Sequence, residues 1–150
     1  MREPLGLLWA ALGASGFAVL FDLRLREVPF AAAGAAGGWW LYSAVGAASS
    51  EAAGYFAAAA FIGLYAEVVA SLRKRPAAVY IVSAILPIVP GGGMYYTMLN
   101  SVRGDLYASL GTGFETLQAA GAIAAGLAVS SALSRLVSLD RLARRLKGKA

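Results

Sequence analysis

The stretch VPFAAAGAAGGWWLYSAVGA, residues 28–47, decides the fold class of this chain. Its 20 residues include no Lys, Arg, Asp or Glu. At about 1.5 Å per residue, a helix of that length crosses the roughly 30 Å of hydrocarbon in a bilayer. Water would drive such a surface to aggregate, whereas lipid stabilises it. The stretch therefore predicts a membrane-spanning helix.

The rest of the chain has the same character. Of its 150 residues, 59% are hydrophobic and 14% are charged, whereas a soluble domain carries about a quarter charged residues. Three further apolar segments, residues 5–21, 52–72 and 111–133, are long enough to cross or nearly cross a bilayer. The remaining apolar segment, which is the fourth in chain order, is AVYIVSAILPIVPGGG at residues 78–93. Prolines and glycines interrupt it. We therefore expect an all-α fold, a polytopic transmembrane bundle of about five spans with the fourth one broken.

The basic residues predict the orientation. With five crossings and the N-terminus outside, eleven of the 13 Lys and Arg residues lie inside and two lie outside. This agrees with the positive-inside rule, so we expect an N-out, C-in arrangement. A re-entrant fourth segment would instead separate the C-terminal basic residues from the triplet at residues 73–75. We expect a transmembrane domain over residues 1–136 and a basic, amphipathic cytoplasmic tail over residues 137–150, lying along the membrane surface.

Several functions are disfavoured by composition. The chain has no Cys and no His, so it has no disulfide and no thiolate or imidazole metal site. It contains no nucleophile elbow, Walker loop or zinc-protease motif, so we expect neither an enzyme nor a cofactor. The net charge of +5 is concentrated at the ends of apolar segments and in the tail. That distribution fits anionic lipid better than nucleic acid.

The interrupted fourth segment is the strongest candidate for a functional site. Pro87 and Pro90 each lack a backbone donor, and a helix broken at membrane depth exposes peptide groups that protein, water or a ligand must satisfy. Secondary transporters place substrates at such breaks. The alternative is a loop that joins two helices near the outer interface. The predicted substrate-binding or gating residues are Pro87, Pro90, Gly91, Gly92, Gly93, Tyr95, Thr97 and Asn100.

Two carboxylates are candidates for proton coupling. Glu67 precedes Arg73 by six residues, or about 9 Å along a helix, and an acid at that depth is costly unless it has a function. Its alternative is an interfacial glutamate paired with Arg73 or Lys74. Glu115 lies near the start of the fifth segment on one helical face with Gln118. Its alternative is a solvated acid that the helix dipole favours.

Small residues predict where helices touch. Gly34 and Gly38 form a G-x-x-x-G pair, and Ala122 and Gly126 form a similar small-residue pair. In lipid, helices associate by close backbone approach at such positions. We therefore expect both pairs to lie at helix–helix contacts.

Taken together, these features resemble a known family. The segment GFAVLFDLRLREVPFAAAGAAGGWW at residues 16–40 is followed by a basic stretch at residues 73–75, then Pro76. After an apolar run comes L-P-x-V-P-G at residues 86–91, and then Tyr95. This order is similar to that of the small membrane subunit of the threonine/serine exporter family, over about residues 5–136.

The resemblance implies a prokaryotic, multi-pass protein of the inner membrane that exports small polar metabolites. These would be threonine and serine or dicarboxylates such as succinate, driven by the proton-motive force through Glu67 or Glu115. The chain looks like the second half of larger, fused members. The resemblance therefore implies that the chain works with a larger subunit that has a soluble N-terminal region, or else as a homo-oligomer. The alternative function is a non-transporting membrane scaffold.

Overall fold

The computed structural model describes the backbone of residues 3–147 and the side chains of residues 5–136. Within that part the fold is all-α, as predicted, and contains no β-strand. Six α-helices and one short 3-10 turn follow each other: α1 (Glu3–Leu20), α2 (Val28–Ala48), α3 (Glu51–Arg73), α4 (Ala77–Ile85), the 3-10 turn (Leu86–Ile88), α5 (Gly91–Val102) and α6 (Leu106–Lys147).

Length and composition identify candidate membrane spans among these helices. In the described part, α3 and the Leu106–Leu136 portion of α6 are each long and apolar enough to cross a bilayer. Residues Ala77–Ile88 and Gly91–Val102 form a third candidate if this pair, bent by 51°, is one span. The apolar part of α1 is shorter, at Leu5–Leu20. The chain is thus a helical protein with two to three candidate spans, and five crossings remain a prediction.

The helix ends follow from local chemistry. Ser50 precedes α3, and its hydroxyl accepts a hydrogen bond from the Ala53 amide at 3.2 Å, a common N-cap. At its other end α3 terminates with Lys74 in the left-handed conformation. Asp22 adopts the same conformation after α1, where the Leu23 amide donates back to the Ala18 carbonyl at 2.9 Å. Both helices therefore stop sharply and the chain reverses.

Helix α3 is the centre of the bundle and packs against both α2 and α6. The predicted small-residue contacts lie here, inside the chain. A Cβ on Gly38 would meet the side chain of Ile62, and one on Gly126 would meet the Phe56 carbonyl oxygen and the Ala60 amide. Gly34 is likewise buried, whereas Ala122 is half-buried. Close backbone approach at small residues thus joins the three helices.

Helices α3 and α6 run parallel. Gly126 packs beside Ala60, and farther along both helices Ser130 packs beside Gly63. This register sets Glu51, at the start of α3, opposite about residue 117 of α6. The first eleven residues of α6 therefore extend about 16 Å beyond α3. Helix α5 packs against α6 in that region, where Thr97 meets Gly113.

The C-terminal tail is only partly described. The backbone of α6 continues without a break to Lys147, past the boundary at residue 136 that the sequence predicted. The side chains of residues 137–150 lie outside the described residues. The predicted basic, amphipathic cytoplasmic tail on the membrane surface therefore stays a prediction.

Candidate functional site

The break in the fourth segment lies beside the start of α3. Nine residues of α4 and three of the 3-10 turn cover about 20 Å from the beginning of α4. Ile88, at the end of that turn, is buried. Val89 is then extended, Pro90 follows, and α5 starts at Gly91 with its axis bent by 51° from α4. The interruption predicted from the prolines and glycines is therefore present, and α5 after it is helical rather than a loop.

The break leaves the amino end of α5 without a side-chain cap. Among the described residues, no side chain bonds to this end of the helix. The Gly91 amide donates to the Val89 carbonyl at 2.8 Å, and the Met94 amide donates to the Pro90 carbonyl at 3.2 Å. The amides of Gly92 and Gly93 belong to the first turn, where a helix has no internal acceptors and carries partial positive charge.

A cavity of about 550 Å³ is lined in part by Gly92 and Gly93. Its walls come from the last part of α2, the start of α3, the break and the region of α6 beside α5. They are formed by Trp39, Tyr42, Glu51, Ala52, Tyr55, Pro87, Ile88, Val89, Pro90, Gly92, Gly93, Thr112, Glu115, Thr116, Gln118 and Ala119. We call this space the break cavity.

Two acidic residues, Glu51 and Glu115, line the break cavity together with Gly92 and Gly93. The Tyr42 hydroxyl donates to Glu51 Oε1 at 3.0 Å, and the Tyr55 hydroxyl is 3.4 Å from the same oxygen. Both Glu51 and Glu115 are exposed, and the two tyrosine hydroxyls orient the Glu51 carboxylate. The cavity therefore offers partial positive charge from the helix end and negative charge from two side chains. A small solute with one group of each sign could bind there.

The structure brings several of the predicted residues together and separates others. Pro87, Pro90, Gly92, Gly93 and Glu115 all line the break cavity, and so does Gln118, which was expected to share a face with Glu115. The remaining predicted residues of α5 are not in its lining: Gly91, Tyr95, Thr97 and Asn100.

These outlying residues have other surroundings. Tyr95 is exposed and its ring meets the neighbouring Tyr96 ring edge-on. The Thr97 hydroxyl donates to the Gly93 carbonyl at 2.7 Å, and the Thr97 carbonyl accepts from the Ser109 hydroxyl at 2.9 Å. Thr97 therefore joins α5 to α6 and supports the wall of the cavity from behind.

Glu67 is half-buried on α3 and lies outside the break cavity. Its expected alternative partner, Arg73, is instead bound to Glu27. Arg73 donates from Nε to Oε2 of Glu27 at 2.9 Å and from Nη2 to Oε1 at 2.8 Å. The Tyr80 hydroxyl donates to the same carboxylate at 2.6 Å. These bonds, first of all those from Arg73, lower the pKa of Glu27 from its usual 4.5 to about 2.

Two acidic residues in these clusters escaped the sequence interpretation. Glu27 belongs to a charged turn, DLRLRE, and resembled an ordinary boundary charge; nothing local indicates that it is buried or that it pairs with Arg73, 46 residues away. Glu51 stands between two apolar segments and beside the cap residue Ser50. Nothing local indicates that the break lies beside this end of α3.

Comparison with known proteins identifies the family of this chain. The chain shows no significant similarity to a curated protein sequence or to a solved structure. A family model described as "Threonine/Serine exporter, ThrE" matches residues 6–133, a range that includes every helix wall of the break cavity. The chain therefore belongs to the threonine/serine exporter family, a family of membrane transporters rather than enzymes.

Proposed function

We propose that this chain is the membrane subunit of a secondary exporter and that a zwitterionic amino acid of the threonine or serine kind passes through the break cavity. The observation that carries the proposal is the pairing of uncapped glycine amides with two carboxylates around one cavity. The substrate carboxylate would accept hydrogen bonds from the amides of Gly92 and Gly93. Its ammonium group would lie against Glu51 and Glu115.

The charge of the cavity discriminates between the two substrate classes. A dicarboxylate such as succinate would bring two negative charges beside Glu51 and Glu115, and like charges at such distances repel. An amino acid carries one charge of each sign and matches both walls. The cavity volume of about 550 Å³ lies within the usual range for small-molecule sites, about 300–1,000 Å³. These features favour amino acids over dicarboxylates.

The parallel arrangement of α3 and α6 supports five crossings. A chain that leaves the membrane after α3 can return parallel to it only by crossing once in between. The bent pair of α4 and α5 supplies that crossing, whereas a re-entrant α4–α5 would make α6 antiparallel to α3. With the bias of eleven basic residues to two, this supports an N-out, C-in protein, and family membership favours the inner membrane of a prokaryote.

The apolar surface of α5 and α6 is the face that we assign to the predicted partner. Helix α5 buries none of its residues, and Met98 on α5 and Leu110 and Phe114 on α6 are each about 70% exposed. The larger exporter subunit, or a second copy of this chain, would pack here.

Proton coupling is assigned to Glu115 in this proposal. It lies in the break cavity, where it meets both substrate and water, whereas Glu67 lies outside. Protonation of Glu115 would release the ammonium group, so one proton could exchange for one substrate. Glu115→Gln should then abolish the dependence of efflux on the proton gradient, and Glu67→Gln should not.

The test is efflux of labelled threonine from cells that express the chain with its partner. Gly92→Leu should reduce efflux by at least tenfold, because the leucine side chain would enter the cavity. The fold should tolerate the substitution, since a Cβ at Gly92 meets no atom within 4 Å. Gly111→Leu is the matched control, since Gly111 is exposed, equally unobstructed and outside the cavity lining. Unchanged efflux in Gly92→Leu would favour the scaffold alternative.

A further inference from the structure

A second cavity, of about 530 Å³, lies at the opposite end of α4 from the break. It is bounded by the turn between α1 and α2 and by the turn between α3 and α4. Charged and polar residues of both signs line it: Asp22, Arg24, Glu27, Arg75 and Tyr80. We call it the basic-end cavity, because the basic triplet at residues 73–75 closes α3 on this side.

The two cavities are separated by one face of α4 and the 3-10 turn. Tyr80 belongs to the lining of the basic-end cavity and Ile88 to that of the break cavity. Ala84 lies midway on the same helical face, and all three side chains are buried. Eight residues separate the two ends, about 12 Å at helical rise. The barrier is therefore thin, and it packs against small residues of α1 and α2, Ala14 and Ala35.

Glu27 lines the basic-end cavity, and it forms an ion pair with Arg73, which is not part of that lining. Glu27 is 7% exposed, and Arg73 and Tyr80 occupy both of its oxygens. Arg73 is itself more exposed, with a side chain 37% accessible. Arg24 and Arg75 also line the cavity, and guanidinium groups bind carboxylates in fixed geometry. An amino acid in this cavity would thus meet cations for its carboxylate, and it would have to replace Arg73 for its ammonium group to bind Glu27.

We propose that the basic-end cavity is a second amino-acid binding site on the same path, in which the substrate is received before it passes the α4 barrier, and that the Glu27–Arg73 ion pair is its gate. This inference rests on the proposed function of the break cavity. It adds a site, a gate and a direction: the substrate displaces Arg73 from Glu27 at one end, crosses the Tyr80–Ala84–Ile88 face, and leaves from the other end.

The absence of cysteine from the chain allows a direct test with single introduced thiols. Val79→Cys reports on the basic-end cavity and Ala52→Cys on the break cavity, since these residues line them. Leu72→Cys is the control, being 77% exposed and outside both linings. Pro76→Cys, also in the basic-end lining, replaces Val79→Cys if that variant is not inserted into the membrane.

Reaction with a membrane-impermeant maleimide is measured on intact cells and on inside-out vesicles, with and without threonine. We expect Val79→Cys and Ala52→Cys to react from opposite faces, and threonine to slow each reaction at least threefold while Leu72→Cys is unaffected. Adding Glu27→Gln should remove protection at Val79→Cys and leave protection at Ala52→Cys.

The two possible failures are distinguishable. Threonine protection at Ala52→Cys without any protection at Val79→Cys would overturn the second site and leave the break cavity standing. Protection at neither position, in cells that also fail to export threonine, would overturn the proposed function and with it this inference. Protection at Val79→Cys that survives Glu27→Gln would overturn the assignment of the gate.

Discussion

Replacing Gly126 by alanine tests how tightly the bundle is built around the break cavity. A Cβ at this position would lie 2.5 Å from the Phe56 carbonyl oxygen and 2.9 Å from the Ala60 amide nitrogen. Both obstacles are backbone atoms, so no side chain can turn aside. Ordinary contact begins at 3.4 Å, and α6 must therefore move away from α3 by about 0.9 Å along the shorter contact.

The magnitude follows from two opposing terms. Overpacking of this kind costs about 1–3 kcal/mol, while alanine is favoured over glycine in a helix by about 1 kcal/mol. Gly121→Ala isolates the second term, because Gly121 is exposed on the same helix and a Cβ there would meet no atom within 4 Å. The two variants should thus differ by about 1–3 kcal/mol, or roughly 2–12 °C in Tm for a chain of this size.

Thermal unfolding of the purified protein in detergent measures the difference, and threonine efflux measures its functional consequence. The wall residues Thr116 and Gln118 sit two to three turns from Gly126 on α6, so a shifted helix should also reduce efflux. The reasoning is refuted if Gly126→Ala is as stable as Gly121→Ala, since the close approach of α3 and α6 would then be absent in the molecule.

Three further predictions concern the ends and edges of the bundle. Lys74→Gly should raise the free energy of unfolding by about 1 kcal/mol, because Lys74 has φ +55° and an L side chain is disfavoured there. Gly104→Ala should lower the free energy of unfolding, since Gly104 has φ +81°. The Tm values of the two variants check both expectations. Glu27→Gln should flatten the pH dependence of the free energy of unfolding. In the wild type, the depressed pKa of Glu27 stabilises the fold fully above about pH 4.5, and this stabilisation is lost towards about pH 2. Unfolding of both proteins across an acid titration tests this. Tyr65→Phe should cost about 0.5–1.5 kcal/mol, since its hydroxyl donates to the Phe30 carbonyl at 3.0 Å, and an unchanged denaturation midpoint would contradict it.

The helices were predictable wherever the signal was local. The apolar runs at residues 28–47 and 52–72 fall within one residue of α2 and α3. The first has no charged residue and the second has only Glu67, and apolar length with so little charge is enough to define a helix in lipid. The start of α6 was placed five residues too late, at residue 111 instead of Leu106. The start of α6 was missed because Asp105 and Ser109 are polar and interrupt the apolar pattern. Asp105 in fact caps the helix, since its side chain accepts a hydrogen bond from the Ala108 amide at 3.0 Å.

The site was predictable in part. The break was predictable from Pro87, Pro90 and the glycines after them, because no helix continues through such a sequence unchanged. The carboxylate of Glu51 could not be assigned to the same cavity, since that depends on the start of α3 coming level with the break. The Glu27–Arg73 pair depends in the same way on how the turn before α2 meets the end of α3. Pairings of this kind are set by the packing of whole helices and have no short-range pattern.

The assignment of an amino acid to the break cavity is best tested by binding of labelled threonine to membrane vesicles enriched in the protein, with unlabelled serine and succinate as competitors. We expect saturable binding that serine displaces and succinate does not. Glu51→Gln should weaken it by about tenfold or more, corresponding to the loss of about 1.5–3 kcal/mol for a hydrogen bond to a charged group. Displacement by succinate as readily as by serine, or full binding in Glu51→Gln and Gly92→Leu alike, would contradict the claim that the break cavity holds an amino acid between its glycine amides and its carboxylates.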